Sequence, residues 1–358
     1  GTNIFQWTIN MPGCTPSTST VAIVRDPLPS VSVAGPTQTL CSVSTTTMAA
    51  NTPVVGNGLW SLISGSGLVA TPGSPTSVVN FLSVGTNVFQ WTISNGTCPP
   101  STSTVAIIRD PPPTISAAGS NQTLCATSAT LNGNTPTVGT GVWTLISGAG
   151  TITAPTSPNS SVTGLGFGVN VFQWSISNSV CAPSTSTVAI VRDTPPTVSN
   201  AGVSQTVCVT SATLTGNAPT VGSGLWTLVS GSGIISSPSS ATTAVNFISA
   251  GTNVFQWTIS NGTCPSSSST VAIVRDQNPT IANAGTSQTL CSSSATLSGN
   301  TPGIGSGAWT VISGPGSISS PLSAVTPVTS LGIGLNVFQW TISNGVCPPS
   351  ISTVAINV

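Results

Sequence analysis

The residues able to do chemistry in this 358-residue chain are few: nine cysteines, four arginines and four aspartates, with no lysine, glutamate, histidine or tyrosine. The cysteines fall in two sets, Cys14, Cys98, Cys181, Cys264 and Cys347, and Cys41, Cys125, Cys208 and Cys291. Two thiols per repeating unit in a Ser/Thr-rich chain point to disulfides made in an oxidising compartment. Free buried thiols are the competing reading, but both sets lie beside turn residues rather than inside strands. Zinc binding would want a Cys-x-x-Cys spacing, and none occurs. Asp26, Asp110, Asp193 and Asp276 stand a full repeat apart, whereas paired-carboxylate chemistry needs two within roughly 10 Å. One carboxylate per repeat is also too few for a calcium site. The many Ser and Thr hydroxyls have no general base. An enzyme is therefore not expected, and no catalytic, cofactor-binding or metal-binding residue is assigned.

Only 2% of residues are charged, and the formal net charge is zero. A disordered chain usually carries high net charge and few apolar residues, so disorder is not expected. The surface must be mostly neutral hydroxyl and amide. No basic patch exists for nucleic acid or anionic membrane. No apolar stretch approaches the length of a membrane span. Charge repulsion cannot hold such chains apart, so side-by-side association with other copies is an expected property.

These residues are set out by a repeat. Trp91, Trp174, Trp257 and Trp340 each sit in the phrase Asn-Val-Phe-Gln-Trp-(Thr/Ser)-Ile-Ser-Asn, and Trp7 sits in a close variant. Their numbers advance in near-equal steps, and a fixed period of that size means an array of small domains. Residues 1–26 read as the final hairpin of a truncated repeat. Four complete repeats follow at 27–110, 111–193, 194–276 and 277–358. Because the sequence opens in mid-repeat, the true N-terminus is expected to lie upstream.

Within 111–193, three prolines open the unit and cannot form a central strand. Residues 114–118 and 122–124 read as a broken first strand, interrupted at Gly119. The stretch from Ser128 to Leu131 alternates polar and apolar residues, as a half-buried strand should. In the next strand Trp143 and Leu145 share a face. Weak strands follow near Ile152 and Val162. From Asn170 to Ser177 the alternation is clearest, with Phe172, Trp174 and Ile176 on one face. A last strand covers 187–191. Seven or so short strands with turn signals throughout describe an immunoglobulin-like β-sandwich, and the array is expected to be all-β and to form an extended rod. Asn95-Gly96, Asn261-Gly262 and Asn344-Gly345 mark the final two strands as a hairpin.

Three phrases carry a resemblance: Asn-Ala-Gly-x-x-Gln-Thr-x-Cys at 200–208, Ala-Thr-Leu-x-Gly-Asn-x-Pro at 212–219, and Phe-Gln-Trp-Thr-Ile-Ser-Asn-Gly-Thr-Cys-Pro at 255–265. The chain resembles, over essentially its whole length, the immunoglobulin-like or PKD-like repeats of very large secreted surface proteins of gliding and related bacteria. The resemblance implies a stalk or filament segment of a secreted adhesin or cell-surface fibre, outside the cell. It names no biochemical activity and no ligand for a tip. The near absence of charge departs from the usual pattern and argues against calcium-dependent stiffening. An array of carbohydrate- or ligand-binding modules is the competing function. It would need one repeat to deviate with exposed aromatics or loop insertions, and none does.

Two disulfide schemes are open. Pairing within a repeat gives Cys41–Cys98, Cys125–Cys181, Cys208–Cys264 and Cys291–Cys347. In an immunoglobulin-type sandwich, however, the turn after the first strand and the last hairpin turn lie at opposite poles, roughly 30 Å apart for about ten strand residues. A disulfide needs Cα atoms within about 7 Å. The poles of neighbouring repeats abut, which favours Cys41–Cys181, Cys125–Cys264 and Cys208–Cys347 and leaves Cys14, Cys98 and Cys291 to domains outside this sequence. The charged pairs Arg25-Asp26, Arg109-Asp110, Arg192-Asp193 and Arg275-Asp276 precede each linker. They are read as junction clamps in which Arg bonds the backbone or Asp of the adjacent domain, against the alternative of a solvated surface pair. Trp60, Trp91, Trp143, Trp174, Trp226, Trp257, Trp309 and Trp340 are assigned to cores rather than to sugar stacking. The expected partners are neighbouring repeats and other copies of the chain.

Overall fold

Two tryptophan strands lie side by side in every complete repeat, and glycine lets them meet. The computed structural model describes all residues, Gly1–Val358. It opens with an antiparallel hairpin of β1 (Thr2–Ile9) and β2 (Ser17–Val24). The first full repeat contains β3 (Gln38–Cys41), β4 (Thr46–Thr47), β5 (Asn57–Ser64), β6 (Leu68–Val69), β7 (Val78–Asn80), β8 (Gly85–Ser94) and β9 (Ser101–Asp110). They build a four-stranded sheet in the order β3-β9-β8-β5 and a three-stranded sheet in the order β4-β7-β6. The same two sheets recur in each later repeat. This is an all-β tandem array of immunoglobulin-like sandwiches, as two packed sheets of alternating strands require.

Register follows from the alternation. In β8 and β9, Asn87 faces Ile107 and Phe89 faces Val105, so the inward residues of both strands share one face. Trp60 of β5 lies opposite Trp91 of β8. Their ring centroids sit 5.1 Å apart and the rings are tilted by 43°. The equivalent pairs of the other three repeats stand at 5.0 or 5.1 Å. Offset or tilted pairs are the favoured arrangement of aromatic quadrupoles. A Cβ on Gly58 would overlap the Trp91 ring, and Gly141, Gly224 and Gly307 stand in the same relation to Trp174, Trp257 and Trp340. The Gly-x-Trp spacing is thus a steric requirement of the pair.

β3 runs parallel to β9, with Gln38 opposite Ile107 and Cys41 opposite Asp110. The Val-Ala-Ile run of β9 is apolar on both faces because the strand is internal, flanked by β3 and β8. The sheet has two edges, the short β3 and the longer β5, and part of β5 is covered. The Trp60 backbone N–H donates to Pro72 O at 2.8 Å, and those of Trp143, Trp226 and Trp309 do the same to Pro155, Pro238 and Pro321. A proline-bearing loop against an edge strand blocks pairing with another chain.

One strand expectation needs correction. Residues 114–118 do not form a strand. Side chains replace the ladder there: Ser116 N–H donates to Ser184 Oγ at 2.9 Å, and the Asn134 amide brackets the segment by accepting from Ala117 N–H and donating to Ile115 O. Leu145 shares the face of Trp143, as expected, and lies opposite the buried Phe172, but toward the end of its strand it is left 39% exposed.

The chain divides into two compact units. One comprises Gly1–Gln122 and Ala126–Arg192, with the leading hairpin and the first two sandwiches. The other comprises Thr123–Cys125 and Asp193–Val358, with the last two. In each repeat the Phe, Trp and Ile of the strand equivalent to β8 are fully buried, as in Phe172, Trp174 and Ile176. In the leading hairpin the equivalent Phe5, Trp7 and Ile9 are exposed.

Candidate functional site: the cysteine staples and the capped turns

Cys41 is the last residue of β3, and Cys181 is the first residue of the strand Cys181–Arg192. They are disulfide-bonded, with Cα atoms 5.0 Å apart. Cys125–Cys264 and Cys208–Cys347 repeat the arrangement at 4.8 and 5.0 Å. Each bond joins the first strand of one repeat to the final hairpin of the next. The within-repeat scheme does not form, because Cys181, Cys264 and Cys347 are each held by a first-strand cysteine one repeat upstream. Cys14, Cys98 and Cys291 are free thiols. The Cys98 sulfur lies 3.4 Å from Asp26 O and 3.6 Å from Pro27 O, and the bonded Cys181 sulfur is 3.5 Å from Pro111 O. The hairpin cysteine therefore occupies one fixed place at the start of its repeat, whether or not it is bonded.

The charged pairs divide their labour differently from the sequence reading. Arg109 donates to Ser42 O through Nε at 3.1 Å and Nη2 at 2.8 Å, and to Leu82 O through Nη1 at 3.0 Å. Arg192 donates to Leu165 O at 2.8 Å and lies 4.1 Å above the Phe167 ring. Arg275 donates to Ile248 O at 3.2 Å. All of these partners belong to the arginine's own repeat, so the expected arginine clamp onto the adjacent domain is corrected. A guanidinium at the strand end finds the carbonyls of the connections beside it first.

The aspartate reaches across instead. Asp193, last residue of the second repeat, accepts Thr263 N–H at 2.7 Å and Thr263 Oγ1–H at 2.9 Å from the final turn of the third. Asp276 accepts Val346 N–H at 2.9 Å, and Asp26 accepts Thr97 N–H at 3.2 Å. Gly96, Gly262 and Gly345 in these turns have φ of 53°, 51° and 51°, and a Cβ on any of them would run into the aspartate carboxylate. The Asn-Gly pair therefore leaves room for the cap as well as making the turn. The second repeat has Ser179-Val180 in place of Gly, and its strands close to a two-residue connection. Asp193→Ala is expected to lower the stability of the capped turn by about 1 kcal/mol, discounted for exposure. Faster amide exchange at Thr263 would register the loss; unchanged exchange would show that the cap does nothing.

Two groups of residues have roles that sequence reading missed. Asn95, Asn261 and Asn344, read only as turn residues, and Asn178 donate to the carbonyls of Pro27, Thr194, Gln277 and Pro111 at 2.7 or 2.8 Å. They latch the final turn to the first residue of the repeat. Asn87, Asn170, Asn253 and Asn336 are buried. Their signal was present, since Asn170 is in phase with Phe172 and Trp174 on the inward face.

The eight core tryptophans are all buried, while Trp7 is exposed. No group of three or more His, Cys, Asp or Glu side chains gathers as metal ligands would. No helix is long and apolar enough to cross a membrane. An open groove of about 530 Å³ in the second repeat is lined by Thr, Pro, Gly and Val side chains, including Thr140, Val142 and Pro158, with no aromatic platform and no titratable group.

No family model matches the chain, and no curated protein sequence matches it. Solved structures do. A three-immunoglobulin-domain segment of titin aligns at a TM-score of 0.44 and 13% identity, covering 69% of this chain and 98% of its own. The N-terminal eight immunoglobulin domains of the Down syndrome cell adhesion molecule align at 0.45 and 10% identity, covering 99% of this chain and 52% of their own. A PKD domain from the KIAA 1837 protein aligns at 0.21 and 26% identity, covering 22% of this chain and 85% of its own. The immunoglobulin-like assignment rests on the four- and three-stranded sheets themselves.

Proposed function

We propose that the chain is a structural repeat segment of an extracellular bacterial fibre, filament or adhesin stalk. The observation that carries this reading is the set of staples Cys41–Cys181, Cys125–Cys264 and Cys208–Cys347. Disulfides of this kind belong to an oxidising environment, and a bond between every successive pair of repeats serves durability rather than catalysis. The capped turns add a polar tie at three of the four junctions. The chemistry available supports the same reading, since no hydroxyl has a histidine, lysine or glutamate to activate it. Neutral surfaces let copies lie side by side without charge repulsion. The covered edge at Trp60 and its equivalents then favours contact through side chains over strand pairing.

Electron microscopy of the purified chain and of its source surface tests the proposal. Stiff, beaded, unbranched fibres are the expected image. Compact globules, or a protein recovered from a reducing compartment with nine free thiols, would end it.

A further inference from the structure

The three disulfides overlap along the sequence. Cys125 lies inside the Cys41–Cys181 loop, and Cys208 lies inside the Cys125–Cys264 loop. Each bond has a sequence separation of 139 or 140 and so bridges most of two repeats. The shortest covalent route from Gly1 to Val358 therefore runs along 1–41, crosses to Cys181, runs along 181–208, crosses to Cys347 and ends over 347–358. Residues 42–180 and 209–346 lie off that route. They contain all four tryptophan pairs and all four buried asparagines.

We infer that the staples make this chain a tension-bearing tether of bounded length, whose paired tryptophan strands lie outside the path that carries the load, while the last strands of the second and fourth sandwiches lie on it. The work done by a pulling force is the force times the length released. In a simple array of domains, each sandwich that opens releases its whole chain, so tension favours opening. Here a sandwich that opens between Cys41 and Cys181 lengthens the taut molecule by nothing. The route holds about 80 residues, and at ~3.3–3.6 Å per residue its limit is about 280 Å, bridges included. With every disulfide reduced the limit is about 1,200 Å. Cys125–Cys264 lies off the shortest route and acts as a reserve. If Cys41–Cys181 is lost, the shortest route crosses from Cys125 to Cys264, doubles back to Cys208 and crosses to Cys347. That route caps the length at about 670 Å. The inference depends only on covalent connectivity, not on where the chain is displayed.

Single-molecule pulling of the full chain through handles at both ends tests this, with Cys14, Cys98 and Cys291 alkylated to prevent exchange. The oxidised chain is expected to stop at about 280 Å under forces that open every sandwich, roughly a quarter of the limit of the reduced chain. The double variant Cys125→Ser/Cys264→Ser should keep the short limit. Cys41→Ser/Cys181→Ser and Cys208→Ser/Cys347→Ser should each raise it to about 670 Å. The readout is the length of the unfolded chain, so a variant with loosened sandwiches still reports. An oxidised limit of about 480 Å, which within-repeat pairing would give, overturns the inference. So does a longer limit in the Cys125→Ser/Cys264→Ser variant.

Discussion

Replacing Asn170 by alanine is expected to destabilise the second repeat by about 3–5 kcal/mol, more than any surface change in the chain. The side chain is completely buried. Its Oδ1 accepts Ala149 N–H at 2.8 Å, and its Nδ2 donates to Gly166 O at 2.9 Å and to Gly168 O and Ile190 O at 3.2 Å. It thus joins the turn after the first tryptophan strand, the loop before the second, and the last strand. Alanine leaves four main-chain groups without this partner, each at roughly 1–3 kcal/mol where water cannot reach. Not all four will stay dry, which is why the expected total is below their sum. Asn170→Asp should be as harmful, because a carboxylate would face three carbonyl oxygens where an amide donates. Amide exchange in the strand Gly168–Asn178, with the fourth repeat as internal reference, is the measurement. A loss under about 1 kcal/mol would mean the side chain is a passive filler.

This asparagine also shows where sequence reading stopped. The inward face of the strand was legible from Phe172, Trp174 and Ile176, because a period of two is hard to mistake. Asn170 has the same phase, but a polar residue at a strand start reads as solvent-facing unless its partners are known. Those partners are main-chain groups of three separate segments, and no spacing announces them. The same limit applies to residues 114–118. Thr, Ile and Ser in a row look like a strand, but side chains of Ser184 and Asn134 take the ladder's place. Residue type gave no sign of that substitution.

The poles were more readable than the contacts made at them. In each repeat a cysteine follows Gln-Thr-x, and another follows the last turn, so sandwich topology alone separates the two. The direction of the charged side chains was not readable. Arg192 and Asp193 are adjacent, yet one turns back to Leu165 and the other forward to Thr263. Strand geometry sends successive side chains to opposite sides. That rule was available, but which side faces the next repeat depends on the fold of the connection.

Trp174→Ala is expected to cost about 4 kcal/mol, and Trp91→Ala about 1 kcal/mol less, although both rings are fully buried. The transfer and cavity losses are shared, since each ring pairs with a second tryptophan at nearly the same distance. The difference lies in the indole N–H. Trp174 donates to Asn134 O at 3.1 Å, and Trp257 and Trp340 donate to Asn217 O and Asn300 O at 3.1 and 3.2 Å. The Trp91 Nε1 is buried without a partner. The cause is next to Asn51. Gly133, Gly216 and Gly299 precede the accepting asparagine in three repeats, and a Cβ there would press on the tryptophan rings at 3.0 or 3.1 Å. The first repeat has Ala50 at this position, so its ring must sit off the carbonyl. Removing Trp91 therefore forfeits packing alone, while removing Trp174 forfeits packing and a hydrogen bond. Gly133→Ala should convert the second repeat to the behaviour of the first and shrink the gap between the two tryptophan variants. If the gap persists in the Gly133→Ala background, the extra methyl group is not what separates the two sites.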